Sequence, residues 1–143
     1  MKKLMIFLFP SDKETPQVSI VLALARVIFG LLLASHGWQK LMAFSAMSTQ
    51  FPDPIGLGSE FSLALAIFGE LVCSVAFVFG FLSRLVVIPM IFTMLVAFAT
   101  VHHFSVSEGE LAFVYLMVYL LLLLTGPGQL SIDGWIGRRL NRR

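Results

Sequence analysis

A few polar residues could do chemistry in this otherwise apolar chain. Arg26, His36, Gln39 and Lys40 lie in RVIFGLLLASHGWQK, Glu70 lies in FGELVCSVAFVFG, and His102 and His103 are adjacent. A guanidinium, an ammonium, imidazoles and a carboxylate can together carry protons or hold a polar headgroup. Tyr115 and Tyr119 add phenols. His36, one of the His102–His103 pair and Glu108 or Glu110 also have the donor types for Zn or Cu. No H-x-x-x-H or similar spacing supports such a site, so no metal is assigned. Haem held by His36 and His102 or His103 has no spacing support either.

These groups must be positioned by very apolar elements. The 143 residues are 58% hydrophobic and only 13% charged. Soluble domains carry about 25% charged residues, so this chain cannot cover a globular surface with charge. A membrane protein follows. Four stretches are expected to span, at about 19–44, 61–82, 85–104 and 111–126; a span needs about 20 apolar residues. The runs are continuous rather than alternating, so they are read as helices. Turn chemistry separates them: the proline- and glycine-containing SAMSTQFPDPIGLGSE, the dipeptide Ser83–Arg84, the acidic SVSEGE, and GPGQ after the last span. The expected fold is all-α: an antiparallel four-helix transmembrane bundle with a short C-terminal amphipathic helix.

Three regions follow. Residues 1–18 form an N-terminal cytoplasmic or interfacial segment, 19–130 the transmembrane domain, and 131–143 a basic cytoplasmic tail. The start imitates a signal peptide, but Pro10 and the charges at 12–14 stand where a cleavage site should be. In the tail, Ser131 or Asp133 should cap a helix whose Trp135, Ile136 and Leu140 face lipid and whose arginines face anionic headgroups. Lys2, Lys3, Lys13, Arg84, Arg138, Arg139, Arg142 and Arg143 all fall on one side of the spans, and Lys40 falls on the other. The positive-inside rule then puts both termini in the cytoplasm.

Small residues trace packing stripes. Ala23, Gly30, Ala34 and Gly37 lie along the first span, and Ala66, Gly69, Cys73, Ala76 and Gly80 along the second; the two spans are expected to pack there. The lone Cys73 is read as a buried, inert thiol and cannot form an intrachain disulfide. No basic patch with interleaved aromatics points to nucleic acid.

An ionised group at mid-membrane needs a partner. Arg26 and His36, ten residues apart, are turned by roughly 80° on an ideal helix and can border one interior sector. Glu70 is expected between them in depth, as the counter-charge to Arg26. The resulting pocket candidates are Arg26, His36, Gln39, Lys40, Glu70, His102, His103 and Tyr115. A second pair, Arg84 with Asp133, is expected to clasp the tail under the helices.

The pattern resembles the DoxX family of small four-helix membrane proteins. ARVIFGLLLASHGWQKL, FGELVCSVAFVFGFLSR, HHF and GPGQLSIDGW carry the likeness, over about residues 20–137. By position, Arg26, Gly30, His36, Gly37, Lys40, Glu70, Arg84, Gly126, Pro127, Gly128 and Asp133 match its pattern. The resemblance implies membrane redox work, since the family includes the small subunit of a thiosulfate–quinone oxidoreductase. It also admits assembly factors for other membrane proteins. The expectation is an inner-membrane, quinone-interacting accessory subunit of a redox system. No catalytic residue is assigned. A partner subunit or homo-oligomer supplies the rest. The alternatives are a non-catalytic scaffold and a carrier of small hydrophobic molecules.

The charge asymmetry makes a direct prediction. Alkaline phosphatase fused after Arg143 should be inactive, and a fluorescent protein there should be bright. Phosphatase activity at that position would reverse the orientation.

Overall fold

The computed structural model describes residues 15–140, so the expected N-terminal segment up to residue 14 and the last three residues lie outside the described region. Within it the chain is all-helical. Helix α1 runs Pro16–Met42, and α2 is a single turn, Phe44–Met47. Helix α3 spans Ser59–Phe79 and α4 Ser83–Val101. Helix α5 is Glu110–Thr125 and α6 Ile132–Leu140.

Three of these, α1, α3 and α4, are long and apolar enough to cross a membrane. At about 1.5 Å per residue, the 19 residues of α4 reach roughly 28 Å, close to the hydrocarbon thickness. The 16-residue α5 is equally apolar but reaches only about 24 Å. Lipid suits the outer surface: Val21, Leu24 and Leu31 on α1, Leu85 and Phe92 on α4, and Leu121 and Leu124 on α5 are all exposed. Apolar exposure on this scale is rare in water-soluble monomers. The chain is a multi-pass membrane protein.

Local sequence explains where the helices start and stop. Thr15 caps α1 through its hydroxyl, and Pro16 occupies the first turn, where its missing N–H costs nothing. Asp53 prepares the start of α3. Its carboxylate accepts from the amides of Leu57 (2.9 Å) and Gly58 (2.7 Å) and from the Ser62 hydroxyl (2.7 Å). These bonds, led by the one from Ser62, hold the Asp53 carboxyl below its ordinary pKa. Helix α3 ends at Gly80, whose φ of +69° is a left-handed cap that glycine adopts without strain.

The core draws on every long helix. Leu33 of α1, Phe77 of α3, Met90 of α4 and Tyr119 of α5 are all but inaccessible. Tyr119 donates its hydroxyl to the Phe29 carbonyl at 2.9 Å, tying α5 to α1. Small residues set the helix spacing, with one departure from expectation. A Cβ at Gly30 would lie 2.6 Å from Val78 Cγ2, and one at Gly37 2.7 Å from the Leu71 nitrogen, so α1 does pack on α3 through its glycines. Gly69, however, faces α4: its added Cβ would meet Thr93 Oγ1 at 2.5 Å. The α3 stripe is therefore split between two neighbours. A π-helical stretch at Phe68–Cys73 interrupts the α-helical period that placed those residues on one face.

The tail is built into the fold. Ser131 caps α6 by accepting from the Gly134 amide at 2.9 Å. The face formed by Asp133, Gly134 and Gly137 is buried, while Trp135 and Leu140 are exposed, with Ile136 half-buried. Arg139 lies 3.9 Å over the Trp135 ring. Asp133 is inaccessible. Its two carboxylate oxygens accept from the amides of Leu82 (2.8 Å) and Ser83 (2.7 Å), and its own amide donates to the Gly80 carbonyl (2.9 Å). These bonds clasp the tail to the α3–α4 turn through backbone amides beside Arg84. They also fix Leu82 at a φ of +47°, a conformation costing a non-glycine residue about 1–2 kcal/mol. The negative carboxylate sits at the α4 N-terminus, where the helix dipole favours it. The Arg84 guanidinium lies against Gly126, where an added Cβ would be 2.9 Å from Nη2.

Replacing Asp133 by Ala should strip two charge-assisted bonds from buried amides and lower stability by about 2–4 kcal/mol. Asp133→Asn, which keeps an acceptor, should lose about half as much. Thermal unfolding in detergent would measure both; an unchanged midpoint for Asp133→Ala would contradict the clasp.

Candidate functional site

The polar residues separate into two groups at different depths. One is centred on Arg26, which is buried. Its guanidinium donates to three backbone carbonyls: Val78 (3.3 Å from Nε), Leu130 (2.7 Å from Nη2) and Pro127 (from Nη1). Val78 lies in the last turn of α3, and Pro127 and Leu130 follow α5. The Val78 carbonyl lies at the negative end of the α3 dipole, and the Pro127 and Leu130 carbonyls stand in the non-helical segment between α5 and α6, so all three can accept from a cation. Close approach is required: a Cβ at Gly80 would sit 3.0 Å from Arg26 Cζ and 2.4 Å from Ser131 Cβ. Asp133 supplies a carboxylate within electrostatic reach.

This corrects the expected pairing of Arg26 with Glu70. Glu70 forms its ion pair with Lys40, Nζ to Oε2 at 2.5 Å. Register is the reason. Gly37 packs against the backbone of Glu70 and Leu71, whereas Arg26 reaches Val78. Residues 70 and 78 are eight apart on α3, roughly 12 Å along the axis, too far for one salt bridge. Lys40, less than one turn beyond Gly37, folds its stem back to Glu70.

The second group surrounds this ion pair. The Glu70 side chain is 5% exposed and that of Lys40 24%. Both line a cavity of about 580 Å³ between α3 and α4. Leu65, Ala66 and Phe68 of α3 and Ile88, Phe92 and Val96 of α4 form apolar walls. Phe51, Pro52, Pro54 and Ile55 close the end under the loop that Asp53 orders, and His102 stands at the cavity's edge. Two π-helical stretches border the space, Phe68–Cys73 with Glu70 inside it and Ala97–Val101 next to His102. Such stretches recur at functional sites because the extra residue re-aims side chains.

The remaining candidates lie elsewhere. His36 is edge-on to Tyr115, with centroids 6.3 Å apart, and Tyr115 stacks on Tyr119 at 5.8 Å. Glu70 is within electrostatic range of both phenols, but none of the three rings lines the cavity. Gln39 and His103 are exposed. Cys73 is buried in the core. Of the eight expected pocket residues, the cavity therefore gathers Lys40, Glu70 and His102. The wall residues were not among the candidates, because apolar side chains on a membrane helix give no separate signal.

Helices long and apolar enough to cross a membrane, around an apolar cavity with one ion pair in its wall, define a small multi-pass membrane protein. The chain belongs to the DoxX family, whose model matches residues 21–103, a segment that includes most of α1 and the two walls of the cavity. It is similar to the inner membrane protein YqjF of Escherichia coli (strain K12), at 32% identity over 136 residues, covering 92% of this chain and 98% of that protein. No solved structure matches it.

The ion pair makes a prediction separable from any ligand. Lys40→Met strands a buried carboxylate and should cost about 3 kcal/mol, the low end for a broken buried pair because Lys40 keeps some exposure. The double variant Lys40→Met with Glu70→Leu should recover most of that loss, since neither charge is then left alone. Additive losses in thermal unfolding would show that the two side chains do not interact.

Proposed function

We propose that this protein is a quinone-interacting accessory subunit of a membrane redox system, and that the cavity between α3 and α4 holds the quinone. The observation that carries the reading is the combination in one space of long apolar walls and a single ion pair. A quinone has this division: a ring with hydrogen-bonding oxygens and an apolar tail. Membrane sites of this kind use a few placed polar groups within an apolar lining. The family resemblance, which includes a quinone-linked oxidoreductase subunit, supports the same class. Electrons would be supplied by a partner subunit, since the chain carries no dithiol or nucleotide motif of its own.

In this reading α5 completes an antiparallel four-helix transmembrane arrangement, its shorter length met by tilt of its neighbours or local thinning of the bilayer. The protein resides in the inner membrane, as its Escherichia coli relative is named to do, with both termini in the cytoplasm. Lys40, Glu70 and the cavity then lie toward the outer face, and the Arg26 cluster lies toward the cytoplasm.

Solvent extraction of protein purified in a mild detergent, followed by mass spectrometry, tests the proposal. Bound quinone should appear near one equivalent in the wild type and fall at least about tenfold in Ala66→Phe, which fills the cavity wall. A stoichiometric partner protein with no quinone in either sample would replace this reading with that of an assembly scaffold.

A further inference from the structure

We infer that the Lys40–Glu70 pair makes the cavity selective for the reduced, quinol form of its ligand over the quinone form. The inference rests on the quinone-class reading above and deepens it. The wall that meets a headgroup is not a single charge but a neutral pair with two faces. Lys40 offers an ammonium with three hydrogens, and Glu70 offers a carboxylate with two oxygens; the 2.5 Å contact uses one hydrogen and one oxygen. A headgroup placed against the pair can therefore accept from Lys40 and donate to Glu70.

The two redox forms differ in this respect. A quinone has carbonyl oxygens, which only accept, so it can satisfy Lys40 but would bring a carbonyl dipole against the Glu70 carboxylate. A quinol has hydroxyl groups, which both donate and accept, and can satisfy both partners. Bonds to an ionised acceptor are roughly twice as strong as those between neutral groups, and they strengthen further where water is excluded. Glu70 is 5% exposed, so water does not compete freely for it. The same pair disfavours charged heads. A fatty-acid carboxylate would have to sit beside Glu70, and an amine head beside Lys40.

The route of entry is set by the walls. Leu65, Phe68, Ile88 and Phe92 line the cavity and are also exposed on the surface of the described helices. That surface faces lipid, so an apolar tail can enter sideways between α3 and α4. The Asp53-ordered loop covers the end of the cavity nearer to solvent.

Nanodisc-reconstituted protein and short-chain quinone and quinol analogues provide the test, with binding measured under anaerobic conditions by calorimetry and laurate as the anionic control. The quinol should bind at least about tenfold more tightly than the matching quinone, and laurate more weakly than either. Glu70→Gln should bring the quinol-to-quinone ratio close to one. Should that variant fail to fold, wild-type binding across the three ligands still decides the matter. Equal binding of quinone and quinol, or a preference for laurate, overturns the selectivity; with equal binding the quinone-class reading stands. Failure of both quinone and quinol to bind overturns both.

Discussion

A guanidinium buried among membrane helices must find acceptors that lipid cannot provide, and the arrangement of this chain's ends depends on how Arg26 does so. Its partners are backbone carbonyls from three places in the sequence: the end of α3, the Gly-Pro-Gly segment after α5, and the approach to α6. Carbonyls at a helix end or in a turn lack helical donors, and a buried cation lacks acceptors. Placing the two defects together resolves both. Gly80 is small enough to allow the meeting, and Asp133 completes it by capping α4 from the same side.

With the charges at that end satisfied by backbone, the acidic residue at mid-chain is left for other work. Glu70 pairs with Lys40 at the opposite depth, in a wall that is otherwise apolar. The protein thus keeps two polar clusters apart. One joins helix ends and is closed by carbonyls. The other borders a cavity large enough for a headgroup and part of its tail, and its donors and acceptors are only partly used by each other.

Much of the architecture was legible in the sequence. The apolar runs gave each of the long helices to within about three residues, and Gly-Pro-Gly and the Asp53 loop marked real boundaries. The glycines of α1 pointed correctly to close packing on α3, and of the two expected caps of α6, Ser131 and Asp133, Ser131 accepts the bond. What failed was pairing. Charge complementarity suggested Arg26 with Glu70, but complementarity does not give axial register, which Gly37 and Gly30 set by contact. Backbone carbonyls as acceptors leave no trace in residue types, so the partners of Arg26 could not be read. The π-helical stretch at Phe68–Cys73 is also silent in sequence, and it altered which neighbour Gly69 meets. Of the pocket, the polar members Lys40, Glu70 and His102 were identifiable by type, but their separation from His36 and Tyr115 required the packing.

The proposed division is that the Arg26 cluster holds the fold while the Lys40–Glu70 cluster serves a ligand. It is tested most directly by measuring thermal midpoint and bound quinol and quinone in the same nanodisc preparations of wild type, Arg26→Gln and Glu70→Gln. The account predicts that Arg26→Gln lowers the midpoint while the protein that remains folded keeps its quinone. Glu70→Gln should hold its midpoint within a few degrees and lose its preference for retained quinol. Loss of stability and of ligand together in both variants, or the reverse assignment, would contradict it.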